Sequence, residues 1–290
     1  MKVSGFTFIR NAIKYDYPVV EAISSILPLC DEFVVAVGNS EDSTRELIEG
    51  IGSPKIRIID TVWDDSLREG GRVLAVETDK AFDALSADSD WAFYIQGDEV
   101  LHERYHEPLK KAMQQWKDHP EVEGLLLNYL HFYGSYDFLG DSRRWYRKEV
   151  RIIRNDKSIR SYRDAQGFRK VNRPLNVKPV DATMYHYGWV KPPEAQQAKQ
   201  ENFNKLWHDD EWVDKNVPKT EGFDYSKIDS LAHFTGTHPY VMLKRISRQN
   251  WQFSIDPTQK RLPFKSRLLH SVESLTGWRI GEYRNYRVIE

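Results

Sequence analysis

VSGFTFIRNAIKYDYPVVEAISSILPLCDEFVVAVGNSEDST, residues 3–44, decides the architecture. Residues 3–9 are a short run rich in β-branched and aromatic side chains, the composition of a buried strand. Arg10 and Asn11 close it. Beyond Pro18, Val19, Ile23, Ile26 and Leu27 recur at helical spacing, as one face of a helix packed on a sheet would. EFVVAVG (32–38) reads as a second, continuously apolar strand, and NSED (39–42) supplies the residue types that open helices.

The alternation continues outward. A helix over TRELIEGI stops near Gly52, and KIRIID (55–60) is a third strand. Leu74, Thr78, Ala81, Phe82 and Leu85 form one stripe of a helix between 70 and 85, and WAFYIQ (91–96) is a fourth strand. Apolar strands separated by amphipathic helices build right-handed βαβ crossovers with both sheet faces covered. The expected fold class is therefore α/β, a Rossmann-like core with a mainly parallel central sheet. A helix over 104–117 and strands over 124–132 and 149–155 follow, and MYHYGWVKPP (184–193) ends the region because Pro192–Pro193 cannot continue a strand. Helices over 194–208, 239–253 and 265–276 make the expected C-terminal helical extension. The expected domains are 1–190 and 191–290.

Composition narrows the partners. Among 290 residues, 42 Lys plus Arg stand against 43 Asp plus Glu, a formal charge of −1, so the basic excess of a nucleic-acid binder is missing. Cys30 is the single cysteine, which excludes an internal disulfide or a cysteine-rich metal centre and fits a reducing compartment. The first apolar run is cut by Arg10, and no stretch reaches the roughly 18 apolar residues that span a bilayer. A cytoplasmic protein is expected.

In such sheets ligands bind beyond the carboxyl ends of the strands. The residues there are Arg10–Asn11, Gly38 to Asp42, Asp60 with Asp64–Asp65, and Gln96-Gly97-Asp98-Glu99. Neither G-x-G-x-x-G after the first strand nor G-x-x-x-x-G-K-[ST] occurs, which disfavours a dinucleotide dehydrogenase and a P-loop NTPase. Asp98–Glu99 behind Gly97 offers hard oxygen ligands for Mg2+ or Mn2+, or alternatively caps the next helix.

The order of these segments resembles GT-A glycosyltransferases of the family 2 type over about residues 3–190. The second loop, GNSEDST, matches at Asp42 and Thr44 and carries Asn39 where an acidic residue is commoner. REGGRVLAVET matches the family's helix start at Gly71, Arg72 and Ala75. In QGDE, Asp98 matches the second aspartate of the D-x-D motif and Gln96 replaces the first. His186, in YHYGWV, resembles the histidine that completes the family's metal shell.

The resemblance implies transfer of a sugar from a nucleotide-diphosphate donor to a hydroxyl of a glycan or lipid-linked glycan, inverting, as in polysaccharide biosynthesis. It implies a donor-binding half over about 1–100 and an acceptor-side half over about 101–190. Arg10, Asn11, Asn39, Asp42, Arg72, Gln96 and Asp98 would bind the nucleotide sugar, and Asp98 with His186 would hold Mn2+ or Mg2+. The general base is sought among Asp164, beside Gln166–Gly167, and Glu149, with Asp164 preferred because a loop carboxylate next to glycine can approach substrate. Tyr129, Phe132, Tyr133, Tyr136, Phe138, Trp145 and Tyr146 are either a carbohydrate groove or core. Leu268, Leu269, Val272 and Leu275 recur at helical spacing in a basic, aromatic tail, which suits a peripheral contact at the inner membrane face, docking on the main domain, or a homo-oligomer. The rival readings are a nucleotidyltransferase and a non-catalytic glycan- or nucleotide-binding protein of the same fold.

Overall fold

In the computed structural model, which describes residues 1–290, the chain runs β1 (Val3–Ile9), α1 (Val19–Ile26), β2 (Glu32–Gly38), α2 (Thr44–Glu49), β3 (Ile56–Thr61), α3 (Arg72–Asp83) and β4 (Trp91–Tyr94). It continues through β5 (Glu99–Leu101), α4 (His106–Trp116), β6 (Gly124–Tyr133), β7 (Ser135–Gly140), β8 (Lys148–Arg154), β9 (Ile159–Tyr162), β10 (Gly167–Lys170) and β11 (Arg173–Trp189). The last third holds α5 (Pro193–Lys205), α6 (Asp210–Asn216), β12 (Leu231–His233), α7 (Leu243–Ile246), α8 (Phe264–Thr276) and β13 (Tyr286–Val288).

The sheet order is β3-β2-β1-β4-β8-β6-β11-β10-β9. The first four strands are parallel to one another, as the alternation of strand and helix requires. β8 enters antiparallel between β4 and β6, and β11 runs parallel to β6. The α/β expectation, with a mainly parallel sheet at its centre, agrees with this topology. The apolar runs are continuous because both faces are covered. In β2, Phe33, Val35 and Val37 pack with α1 and α4, while Val34 and Ala36 pack with α3 on the other side. At about 25 cal/mol per Å2 of apolar surface, these two layers are the main source of stability.

Residues 191–290 depart from a purely helical extension. β12 pairs with β7 and β13 with β11, so the sheet takes two short strands from this segment. The expected helix over 239–253 is shortened to a 3-10 turn, Tyr240–Met242, and α7. The residues beyond it are drawn onto the main body instead: the Trp251 indole donates to the Gly134 carbonyl at 2.8 Å, and Phe253 packs edge-on against Tyr133 and Phe138. No helix is long and apolar enough to cross a membrane.

Candidate active site

A cavity of about 330 Å3 opens between the carboxyl ends of β1 and β4. This is where the strand order reverses, the place at which doubly wound sheets bind ligands. Phe8, Ile9 and Arg10 come from β1 and the residue after it, Gln96, Gly97 and Asp98 follow β4, and Trp63 follows β3. The β9–β10 turn adds Asp164 and Gln166, β11 adds His186 and Trp189, and α5 closes one side with Lys199 and Phe203.

Asp98 is the electrostatic centre. Its Oδ2 accepts from the Lys199 ammonium at 2.9 Å, and its Oδ1 lies 3.7 Å from His186 Nε2. Burial alone would raise the carboxyl, but the Lys199 ammonium outweighs it and holds Asp98 well below the usual carboxylate range. Lys199 also donates to the Gly188 carbonyl at 3.0 Å, and its ammonium sits 4.9 Å from the centre of the Tyr17 ring. Gly188 has to be glycine, since a Cβ there would come within 2.7 Å of Asp98 Oδ2 and 2.6 Å of the His186 ring. Behind this group the buried Lys191 donates to the Tyr15 carbonyl at 2.7 Å; burial, then Lys199, pushes its ammonium far below the ordinary lysine value.

The acidic pair at the end of β4 is split. Asp98 faces the cavity, whereas Glu99 begins β5, is fully buried, and takes a two-pronged contact from Arg151 at 2.7 and 2.9 Å with a third bond from the Tyr129 hydroxyl at 2.8 Å. Glu99 is consumed by these contacts in the interior, so of the pair only Asp98, on the turn before β5, is available to a ligand.

Asp164 lies in the cavity wall, on a turn whose flanking residues Arg163 and Ala165 both have positive φ, 55° and 61°. Non-glycine residues hold that conformation only where their surroundings dictate it. Here the surroundings are identifiable. Gly71, itself at φ 69°, leaves room for the turn, because a Cβ there would lie 3.0 Å from Asp164 Cβ. Gln96 Nε2 donates to the Ala165 carbonyl at 3.3 Å. An aspartate at position 96 could not donate, so the departure from the D-x-D pattern has a local structural reason. Burial raises the Asp164 carboxyl above its ordinary value, as a proton acceptor requires.

Five predicted residues lie outside the cavity lining. The Asn11 Oδ1 accepts from the Glu41 backbone at 2.7 Å, Asn39 Oδ1 accepts from Trp63 N at 3.2 Å, and Asp42 accepts from Lys14 N at 2.7 Å and Thr44 N at 3.1 Å. These three therefore tie the strand-end loops together. Arg72 is exposed at the start of α3. Glu149 stands behind Gln166, whose amide donates to it at 2.8 Å, and burial pushes its carboxyl up to about 8. Of the aromatic set, Tyr129, Phe132, Tyr133, Tyr136 and Phe138 are buried core residues, and Tyr146 reaches the cavity.

No three His, Cys, Asp or Glu side chains converge anywhere as a ready metal cage. Mg2+ and Mn2+ do not demand one, because they commonly take one or two protein ligands and complete the shell with water and substrate phosphates. Asp98 and His186 fit such a half-shell, one oxygen and one imidazole nitrogen converging on the same cavity.

Sequence reading missed Lys199, Tyr17, Trp63 and Gln166. The signal for Lys199 was faint: α5 (PEAQQAKQENFNK) carries no apolar stripe to mark the face it turns inward, where Gln196 and Gln197 are buried.

No protein-family model and no curated protein matches the sequence. Among solved structures, the chain is similar to glucosyl-3-phosphoglycerate synthase from Mycobacterium tuberculosis in complex with Mn2+, UDP and phosphoglyceric acid, at 19% identity and a TM-score of 0.31, covering 45% of this chain and 43% of that one. The same enzyme has also been crystallised with Mg2+ and UDP. TarS of S. aureus is similar at 17% identity and a TM-score of 0.39, covering 70% of this chain and 39% of that one. The chain thus spans less than half the length of either protein.

Proposed function

We propose that this chain is a GT-A-type glycosyltransferase of the family 2 kind, which binds a nucleotide-diphosphate sugar in the cavity between β1 and β4 and transfers the sugar, with inversion, to an acceptor hydroxyl. The observation that carries the reading is the convergence on one switch-point cavity of a deprotonated carboxylate with a cation and an imidazole, Asp98, Lys199 and His186, and of a second carboxylate, Asp164.

Asp164 accepts the hydroxyl proton as the acceptor oxygen bonds to the anomeric carbon, and the bond from that carbon to the diphosphate breaks on the opposite side. Lys199 and Arg10 place positive charge where the departing diphosphate gathers negative charge. A divalent cation held by Asp98 and His186 supplies further neutralisation of the diphosphate when bound. The acceptor is proposed to be a glycan or lipid-linked glycan, reached from the cytoplasmic membrane face with the exposed side of α8 on the lipid surface. The donor-side and acceptor-side halves meet at this cavity, and α5 belongs functionally with them.

The test is a thermal-shift panel of nucleoside diphosphates and their sugars with and without Mn2+, since a ligand that binds only the folded state raises the melting temperature by mass action. One nucleotide should stabilise the wild type in a Mn2+-dependent way and fail to do so in Asp98→Ala. With that donor, Asp164→Asn should keep the shift and lose at least about 100-fold in turnover, the usual range for a general base. No shift with any nucleotide removes the donor site from the proposal, and full turnover in Asp164→Asn removes the base.

A further inference from the structure

His131 and His186 face one another across the parallel β6–β11 ladder, at paired positions in its register. Their Nδ1 atoms are 3.2 Å apart, and His131 Nε2 lies 2.8 Å from the Tyr146 carbonyl oxygen. These two contacts determine where the ring hydrogens are.

A carbonyl oxygen only accepts, so His131 Nε2 carries a hydrogen. The His131 ring is 3% exposed, stacked on Trp145 at 5.1 Å and held edge-on by Tyr146 at 4.3 Å. Its two polar contacts are a carbonyl and another imidazole, with no carboxylate among them, and such a setting keeps an imidazole neutral. His131 Nδ1 is then a bare lone pair. Two lone pairs cannot face each other at 3.2 Å, so His186 Nδ1 supplies the hydrogen between them.

The consequence appears on the far side of the second ring. With its hydrogen on Nδ1, a neutral His186 has a bare Nε2, and that nitrogen lies 3.7 Å from Asp98 Oδ1. Two acceptors aimed at each other are unfavourable unless something positive sits between them. Lys199 is engaged on the other carboxylate oxygen, Oδ2, and on the Gly188 carbonyl. We infer that His131 is a positioning residue that fixes His186 as its Nδ1–H tautomer, presenting the Nε2 lone pair together with Asp98 Oδ1 as a prepared pair of ligands for a divalent cation. This rests on the metal reading of the cavity and adds to it a residue that touches neither cation nor substrate. Metal-bound histidines are generally oriented in this way through their second ring nitrogen, and removing the partner weakens metal binding by about 10- to 100-fold.

The test uses the full chain and two readouts other than turnover: the 15N spectrum of the His186 ring in metal-free protein, and Mn2+ affinity, with and without UDP, from the paramagnetic signal of the free ion. In the wild type, Nδ1 should be protonated and Nε2 bare. His131→Phe keeps the volume and loses the acceptor, so it should release the tautomer preference and weaken Mn2+ by about 10-fold or more. His131→Gln, whose amide can both accept from His186 and donate to Tyr146, should restore both readouts to near wild type.

A hydrogen on Nε2 of His186 in the wild type overturns the inference, and this spectrum needs no variant to fold. Unchanged Mn2+ affinity in a folded His131→Phe protein overturns it as well. The assigned tautomer, lost in His131→Phe, in a wild type that binds no Mn2+ even with UDP supports the positioning role while removing the cation, so failure of the metal reading is told apart from failure of this one.

Discussion

Glu149 is a buried carboxyl whose nearest cation is already committed. Arg151 lies close by, but its guanidinium grips Glu99 with two bonds, which leaves Glu149 with the Gln166 amide at 2.8 Å and the Asn285 amide at 3.4 Å. Burial, partly countered by Arg151, therefore raises it from the ordinary glutamate value of 4.5 to about 8. The sign of the pH effect follows from that direction. Between those two values the folded state holds a proton that the unfolded chain has released, so stability falls as pH rises through this window and levels off above it. Glu149→Gln should flatten the fall, narrowing the difference between urea midpoints at pH 5 and pH 8 relative to wild type, an effect on the order of a few kcal/mol at most. An identical pH difference in both proteins would place the proton elsewhere, the other carboxyls raised by burial being Asp79, to about 6, and Asp164.

Among the elements, α5 and β11 bind the C-terminal third to the rest. β11 pairs along its length with β6, β10, β5 and β13, and α5 supplies a wall of the cavity. Arg143 contacts Glu273 at 2.8 Å, Arg147 contacts Glu282 at 2.9 Å, and Arg279 donates to the Trp145 carbonyl at 2.7 Å. The fragment 1–190 should therefore not fold as an independent unit. Its expected state is a loosely packed one, with near-ultraviolet circular dichroism lost and a hydrophobic dye bound; a cooperative unfolding transition like that of the whole chain would restore the boundary near 190.

β1 and β2 were legible to the residue, because a strand covered on both faces is an uninterrupted apolar run between polar loops. β11 was legible only at its end, MYHYGW. Its first half alternates only over Leu175–Lys178, between Pro174 and Pro179, and its pairing with β6 shifts register between Pro179 and Thr183, so the alternation is too short to mark a strand. The three residues of β5 give no pattern at all. Asp98, His186 and Asp164 were legible as strand-end and loop residues, whereas Lys199 reaches the cavity only through the packing of a helix whose sequence carries no motif.

Over the whole molecule the charges nearly cancel, at −1, yet α8 presents an uncovered face. Phe264, Leu268 and Leu275 are 84%, 58% and 86% exposed along one side, with Lys265 and Arg267 beside them, while Leu269 and Val272 turn partly inward. An apolar stripe flanked by basic residues suits an anionic lipid surface. The full chain should pellet with vesicles containing phosphatidylserine, less so with pure phosphatidylcholine or at high salt, and Leu268→Glu/Leu275→Glu should remain in the supernatant. Equal pelleting of the two proteins would remove the membrane contact. In the donor-side half, Cys30 is buried against Phe33 and hydrogen-bonded to the Ile26 carbonyl at 3.3 Å, and burial raises its thiol far above the reactive range. A thiol reagent added to the native protein therefore has one target and can reach it only when the layer between α1 and the sheet comes apart, so the labelling rate is a clock for the opening of that layer and records, without any added probe, how tightly the donor-side half is closed.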